Sequence, residues 1–183
     1  LADEHFRHRF VTNYVYDLPF GRGKPLASSV PRLLDAVIGG WTAAGIMTLS
    51  SGVRVDLSVA GNPSNTGGTN RPNVLRDWRL SSGQRSLDRW FDTTAFAPNA
   101  ALTFGNAGRN LIVGPSLANF DLALYKGFRV KERLRFQFRA EAFNATNTPY
   151  FGSPNAQVGN PTIGQISSAG RPRNLQFGLK AVF

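Results

Sequence analysis

The final stretch Asn174-Leu175-Gln176-Phe177-Gly178-Leu179-Lys180-Ala181-Val182-Phe183 decides how the chain is read. Leu175, Phe177, Leu179, Ala181 and Phe183 share one parity; Asn174, Gln176, Gly178, Lys180 and Val182 share the other. A side-chain period of two belongs to a β-strand, here with one apolar face. No polar tail follows Phe183. In a soluble protein such a strand would be an exposed aggregation edge. As the closing strand of an outer-membrane barrel, its apolar face meets lipid and its terminal aromatic sits at the membrane boundary.

Upstream, the same alternation recurs. Leu134, Phe136, Phe138, Ala140 and Ala142 alternate with Arg133, Arg135, Gln137, Arg139 and Glu141. In a barrel the Phe parity faces lipid, and Arg133, Arg135, Gln137, Arg139 and Glu141 line the lumen. A further strand, about Ala118 to Phe128, places Phe120, Leu122 and Leu124 on one face and Asp121, Ala123 and Tyr125 on the other. A tight turn is expected at Arg129–Glu132. Nearer the start, Arg7–Tyr16 carries Phe10, Thr12, Tyr14 and Tyr16 on one face. Tyr14 and Tyr16 read as interfacial aromatics. Trp41–Ser50 is the remaining strand, expected to resume through Val53, Val55, Leu57 and Val59, with a bend or bulge at Gly45 or Ser51-Gly52. The expected fold is all-β: an antiparallel meander of about five long strands, the C-terminal part of a transmembrane barrel with long extracellular loops.

The connections Leu18–Gly40, Gly61–Leu117, Arg129–Glu132 and Asn144–Pro172 run medium, very long, very short and long. Outer-membrane barrels have short periplasmic turns and long extracellular loops. If the chain ends on the periplasmic side, the Arg129 turn lies there too and both long loops lie outside. Pro31–Ile38 has room for a helical turn, and Ser86 is placed to cap a short helix over Leu87–Phe91. Five strands cannot close a membrane barrel, whose smallest examples have about eight. With Leu1 as the first residue and no leader-like segment after it, the chain is expected to be the C-terminal piece of a larger protein whose plug and export signal lie upstream.

Composition narrows the function. The 183 residues contain no cysteine, 19 Gly and 14 Phe, and no apolar run approaches the ~18–20 residues of a membrane helix. The net charge of +10 invites a nucleic-acid reading, but the arginines are scattered along the chain without a basic run. They read instead as solvated faces and loops. His5 and His8 offer no third ligand beyond Asp3 or Glu4 and fall on opposite faces of an extended chain. No Gly-x-Ser-x-Gly elbow occurs, Gly21-Arg22-Gly23-Lys24 lacks the spacing of a phosphate loop, and Glu132 and Glu141 are too far apart for paired-carboxylate catalysis. No catalytic residue, metal site or cofactor is expected.

Five segments, Arg9–Gly23, Gly39–Gly52, Arg89–Pro98, Phe104–Lys126 and Phe138–Gly152, together with the terminal strand, resemble in order the C-terminal barrel region of TonB-dependent receptors of the acidobacterial Oar-like group. This resemblance implies a 22-stranded outer-membrane barrel, with an N-terminal plug and often a carboxypeptidase-regulatory-like domain. It implies uptake of a siderophore, oligosaccharide or peptide-like ligand, with TonB engaged through an N-terminal region that this chain lacks. The terminal Phe177, Leu179 and Phe183 resemble the signal read by the barrel-assembly machinery. Within Gly61–Leu117, Arg71, Trp78, Arg89, Trp90, Phe91 and Arg109 are the candidate ligand residues, because large aromatic and cationic side chains supply contact area on a loop. On the plainer reading these aromatics only pack the loop against the barrel rim, and the arginines meet lipopolysaccharide phosphates. Two rivals remain at this stage: a soluble or cell-surface β-sandwich for binding or adhesion, and a passive porin-like barrel.

Overall fold

The computed structural model describes residues 6–131 and 134–182. Its strands are β1 (Arg9–Asp17), β2 (Trp41–Ser50), β3 (Arg54–Val55), β4 (Ser58–Val59), β5 (Asn73–Val74), β6 (Phe96–Ala97), β7 (Ile112–Val113), β8 (Leu117–Lys131), β9 (Leu134–Phe143), β10 (Gln157–Val158) and β11 (Asn174–Val182). Among the described residues there is one α-helix, α1 (Arg32–Ile38), with 3-10 turns at Ser82–Gln84 and Thr93–Ala95. None of it is a helix long and apolar enough to cross a membrane. The chain divides into two compact units.

The first unit comprises residues 10–49, 118–149 and 171–183. Its core element is a five-stranded sheet in the order β1-β2-β8-β9-β11, so every neighbour in space is also the next long strand in sequence. The meander expected from alternation is present. Antiparallel register aligns Leu122 with Ala142 and Ala142 with Leu175, then Leu124 with Ala140 and Ala140 with Phe177. Phe138 stands beside Leu179, and Phe136 beside Ala181 and Phe128. The Phe parity of three strands thus makes one continuous face. Phe128 stacks on Phe136 with centroids 5.5 Å apart, and Phe138 on Phe177 at 6.4 Å. Such cross-strand aromatic pairs fix register as well as contributing energy.

Away from Lys126, much of that face is bare of protein among the described residues. Leu175, Phe177 and Leu179 are 58%, 69% and 65% exposed, and Leu122, Leu124 and Phe128 are exposed with them. A sandwich would bury these side chains against a second sheet. An apolar surface this continuous is a membrane or partner surface, since water-soluble monomers rarely expose more than a few hundred Å² in one patch.

Gly45 lies within β2, and a Cβ there would lie 2.7 Å from the Tyr14 hydroxyl, so the glycine makes room for the Tyr14 ring to lie across β2. Two local expectations are corrected in this unit. The turn at Arg129–Glu132 is displaced, because β8 pairs with β9 through Lys131, after a register shift between Arg129 and Lys131. The first strand starts two residues later than expected and ends one residue later, from Arg9 to Asp17. Glu132, Arg133 and Phe183, like His5, lie outside the described residues. The helical turn after Pro31 is confirmed, with Pro31 at its N-cap.

The second unit comprises residues 1–9, 50–117 and 150–170. The long connections are not slack loops. They share a core of Leu57, Val59, Phe91, Ala95, Phe96, Ile112, Ala156 and Val158, with Trp78, Trp90, Val74 and Ile163 packed around it. Leu57 is fully buried and Phe91 is 2% exposed, deeper than the apolar residues of the large sheet just described. Small pairings hold the segments: β3 with β7 and β5 with β6 antiparallel, β4 with β10 parallel. The expected continuation of the second long strand through Val53–Val59 is therefore wrong. Gly52 explains the departure, because its Cα packs so closely on the Gly114 carbonyl that no Cβ fits. From there the chain pairs with β7 and β10 instead of extending the large sheet.

The helix expected at Leu87–Phe91 is also absent. Its backbone donors are used over long range: Trp90 N–H bonds to the Gly164 carbonyl at 2.9 Å, and Asp92 N–H to the Trp78 carbonyl at 2.9 Å. Arg89 N–H returns only to Ser86, at 3.2 Å to its carbonyl and 3.1 Å to Oγ. Tertiary partners took the donors a helix would need. The turns that do form sit on either side, one where Gln84 Oε1 accepts from Ser81 N–H, the other capped by Asp92.

Candidate functional site

The second unit gathers the candidate aromatics into a shallow cleft. Trp78, Trp90 and Phe91 line it, together with Arg79, Leu80, Arg85, Leu111, Ile112 and Val113, around about 80 Å³ of open space. Phe91 and Phe96 meet edge-on at 5.8 Å, and Trp78 lies tilted against Phe96 at 5.7 Å, so the cleft floor is continuous with the core. Trp90 Nε1 donates to the Val113 carbonyl at 2.7 Å, which fixes the indole plane. Phe91 is buried in the core of this unit. Trp78 and Trp90 both pack and present a face to the cleft.

Arginines supply the rim, but not those singled out from sequence. The Arg79 guanidinium lies 4.9 Å from the Trp78 ring centre, and that of Arg85 lies 5.6 Å from Trp90. Arg85 Nε donates to the Leu80 carbonyl at 2.9 Å, and Arg79 pairs loosely with Asp77 at 3.4 Å. Cations over indole faces contribute about 0.5–1 kcal/mol when exposed. Of the expected residues, Arg71 instead approaches Asp56 at 3.6 Å, Arg89 reaches Asp92 at 3.3 Å, and Arg109 is exposed and outside the cleft. The missed signal was local: Trp78-Arg79 is an adjacent pair, and Arg85 precedes Trp90 by a turn held at Ser86.

Asp92, next to Phe91, ties together the segment beside the cleft. Its carboxylate accepts from Thr94 Oγ1 at 2.7 Å and Thr94 N–H at 3.2 Å, and from Arg76 and Arg89 at 3.1 and 3.3 Å. The Thr94 hydroxyl, then Arg76 and the Thr94 amide, hold its pKa below the usual Asp value against the opposing effect of partial burial. A cleft of about 80 Å³ accepts a terminal group of a ligand, not a whole molecule, whose pockets run to about 300–1,000 Å³.

In the first unit, the expected lumen residues form a polar row. The Arg139 guanidinium lies 5.6 Å from the Tyr125 ring centre, and its Nη2 donates to Gln137 Oε1 at 3.1 Å. Tyr125 hydroxyl donates to Glu141 Oε1 at 3.3 Å. Arg135 continues the parity beside Arg129 and Val182, while Arg133 lies outside the described residues. Phe177 and Leu179 occupy the opposite, apolar face. Among the described residues no cluster of His, Asp or Glu is arranged to hold a metal ion.

No curated protein and no solved structure matches the chain. The family model of the outer membrane beta barrel domain matches residues 1–176. That match agrees with the meander, its bare apolar face and its polar row. The chain belongs to the outer membrane beta barrel domain family, and its place is the outer membrane.

Proposed function

We propose that this chain supplies the five C-terminal strands of a TonB-dependent receptor-like barrel. The barrel takes up a siderophore, oligosaccharide or peptide-like ligand. The observation that supports this most is the second unit itself, in which chain segments between barrel strands fold around their own core and present two indoles and two guanidinium groups at a cleft. A passive pore needs no such device. Indole faces suit sugar rings or aromatic siderophore groups, and the guanidinium groups suit carboxylate or phosphate. By the parity of the connections, this unit faces the medium, and Arg135, Gln137, Arg139 and Glu141 line the lumen beside a plug outside this chain. TonB acts through that absent N-terminal region, and the assembly machinery reads Phe177, Leu179 and Phe183. Lipopolysaccharide is the neighbour of the outer rim. No catalytic step is part of this reading.

The test is uptake by cells carrying the complete protein. Trp78→Ala with Arg85→Ala should abolish uptake of the ligand while the barrel remains heat-modifiable on gels. Collapse of the proton-motive force should stop uptake in the unaltered protein. Uptake that continues without it makes the barrel a passive porin.

A further inference from the structure

The connection between β1 and β2 carries α1, whose sequence is Arg-Leu-Leu-Asp-Ala-Val-Ile. At about 100° per residue, Leu33, Val37, Leu34 and Ile38 fall on one arc and Asp35 on the opposite side. A surface helix of a soluble protein turns the apolar arc inward. Here the arrangement is inverted. Asp35 is half-buried and its Oδ1 accepts from Arg22 N–H at 2.6 Å, while Leu33, Val37 and Leu34 are 86%, 64% and 47% exposed. The polar residue is spent on the protein and the apolar arc is left outside.

The helix is also fastened to a particular surface. Lys126 has the parity of Leu122, Leu124 and Phe128, so it stands on the apolar face of the sheet, aligned with Phe138. Its ammonium does not reach for water: Nζ donates to the Val37 carbonyl at 2.9 Å and to the Gly39 carbonyl at 2.5 Å, and lies 5.0 Å from the Trp41 ring centre. Trp41 Nε1 donates to the same Val37 carbonyl at 2.9 Å and meets Phe138 edge-on at 6.2 Å. The end of α1 is thus capped by two side chains of the apolar face, which consume carbonyls that otherwise need water. The exposed arc continues the apolar face at the end of the sheet where β8 turns into β9.

We infer that α1 is an interfacial anchor: it lies in the phospholipid leaflet at that end of the barrel, with Leu33, Leu34 and Val37 immersed just below the headgroups. The sheet is in the outer membrane, and α1 prolongs its lipid-facing surface, so the occupant is lipid by continuity. Arg22, Lys24 and Arg32 lie on the same connection, all exposed, and supply cationic charge that suits anionic phosphate groups. Short amphipathic helices with cations beside an apolar face bind membrane interfaces in this way. Lys126 then keeps a charge on the lipid face at no exposed cost, because helix carbonyls replace its hydration.

The 183 residues contain no cysteine, so once any cysteine elsewhere in the complete protein is replaced by serine, each introduced label is single. The complete barrel, reconstituted in vesicles of phosphatidylethanolamine and phosphatidylglycerol, would carry a nitroxide at Leu33→Cys, Val37→Cys or Ser28→Cys, the last an exposed position on the same connection. Collision with oxygen relative to a water-soluble nickel chelate reads depth. The ratio should be severalfold higher at positions 33 and 37 than at 28, in protein verified as folded by heat-modifiability. Equal ratios at all three positions overturn the anchor, whether or not the barrel transports anything. Immersion seen only after lipopolysaccharide is added overturns the assignment to phospholipid. A Lys126→Met variant that stays folded should release α1 and lower the ratio at position 33; an unchanged ratio would remove Lys126 from the anchor.

Discussion

Trp90 donates its indole N–H to the carbonyl of Val113, 2.7 Å away, and so joins the wall of the cleft to strand β7. Trp90→Phe keeps the ring and deletes the donor, leaving a carbonyl without this partner; loss of such a bond costs about 1–3 kcal/mol where the group stays buried. Phe91→Ala should cost more, about 3–5 kcal/mol, because the side chain is at the centre of the core. Hydrogen exchange should show the 50–117 segment loosened in that order, with β8, β9 and β11 protected as before.

Proteolysis of intact cells tests orientation. Leu102 and Phe104 are 76% and 78% exposed, while Phe91 and Phe96 are buried. Proteinase K, which has little sequence preference, should cut near 102–104 and spare both the core aromatics and the connection after Lys131. Cleavage confined to that connection would show that the assumed sidedness is reversed.

Phe138 sits between Trp41 and Phe177 on the apolar side, and Gln137 on the polar side next to Gly127 and Lys180. Arginine near the middle of the lipid face costs about 2–4 kcal/mol. Phe138→Arg should therefore reduce the assembled fraction far more than Gln137→Arg, measured as heat-modifiable barrel in the membrane.

Asp92 gives the second unit a pH dependence. Its carboxyl binds a proton less readily folded than unfolded, so its contribution is complete above the ordinary Asp pKa of 3.8 and is lost as pH falls through the lowered folded value. Protease resistance of the 50–117 segment should drop below about pH 4. In Asp92→Asn that step should flatten, and resistance at neutral pH should already be reduced.

Deletion of Phe183 should lower the inserted fraction in cells and leave detergent refolding nearly intact, if the terminal aromatic is read by the assembly machinery. Equal losses in both assays would make it an interfacial ring only.

Period-two patterning made the large sheet legible from sequence, because in β9 one face is apolar and the other is polar. The alternation of Phe136, Phe138 and Ala140 with Arg135, Gln137 and Arg139 carries strand, face and order together. The second unit was hidden for the opposite reason. Its pairings are two residues long, as in Val55 with Ile112 and Val74 with Phe96, too short to show any period. The cleft was half visible: Trp78, Trp90 and Phe91 stand out by size, but which arginine reaches which indole depends on long-range backbone bonds from Trp90 and Asp92. Lys126 was readable by parity alone, and its role became apparent only with the carbonyls of α1 beside it.

The parallel pairing of Ser58-Val59 with Gln157-Val158 joins opposite halves of the chain. Segments that meet over such separations assemble slowly, since loop closure precedes any gain from contact. Ala156 and Val158 therefore close a core whose other members, Leu57, Val59, Phe91, Ala95, Phe96 and Ile112, all come from before β8, so the connection after β9 is bound to the earlier one by packing as well as by the strand pair.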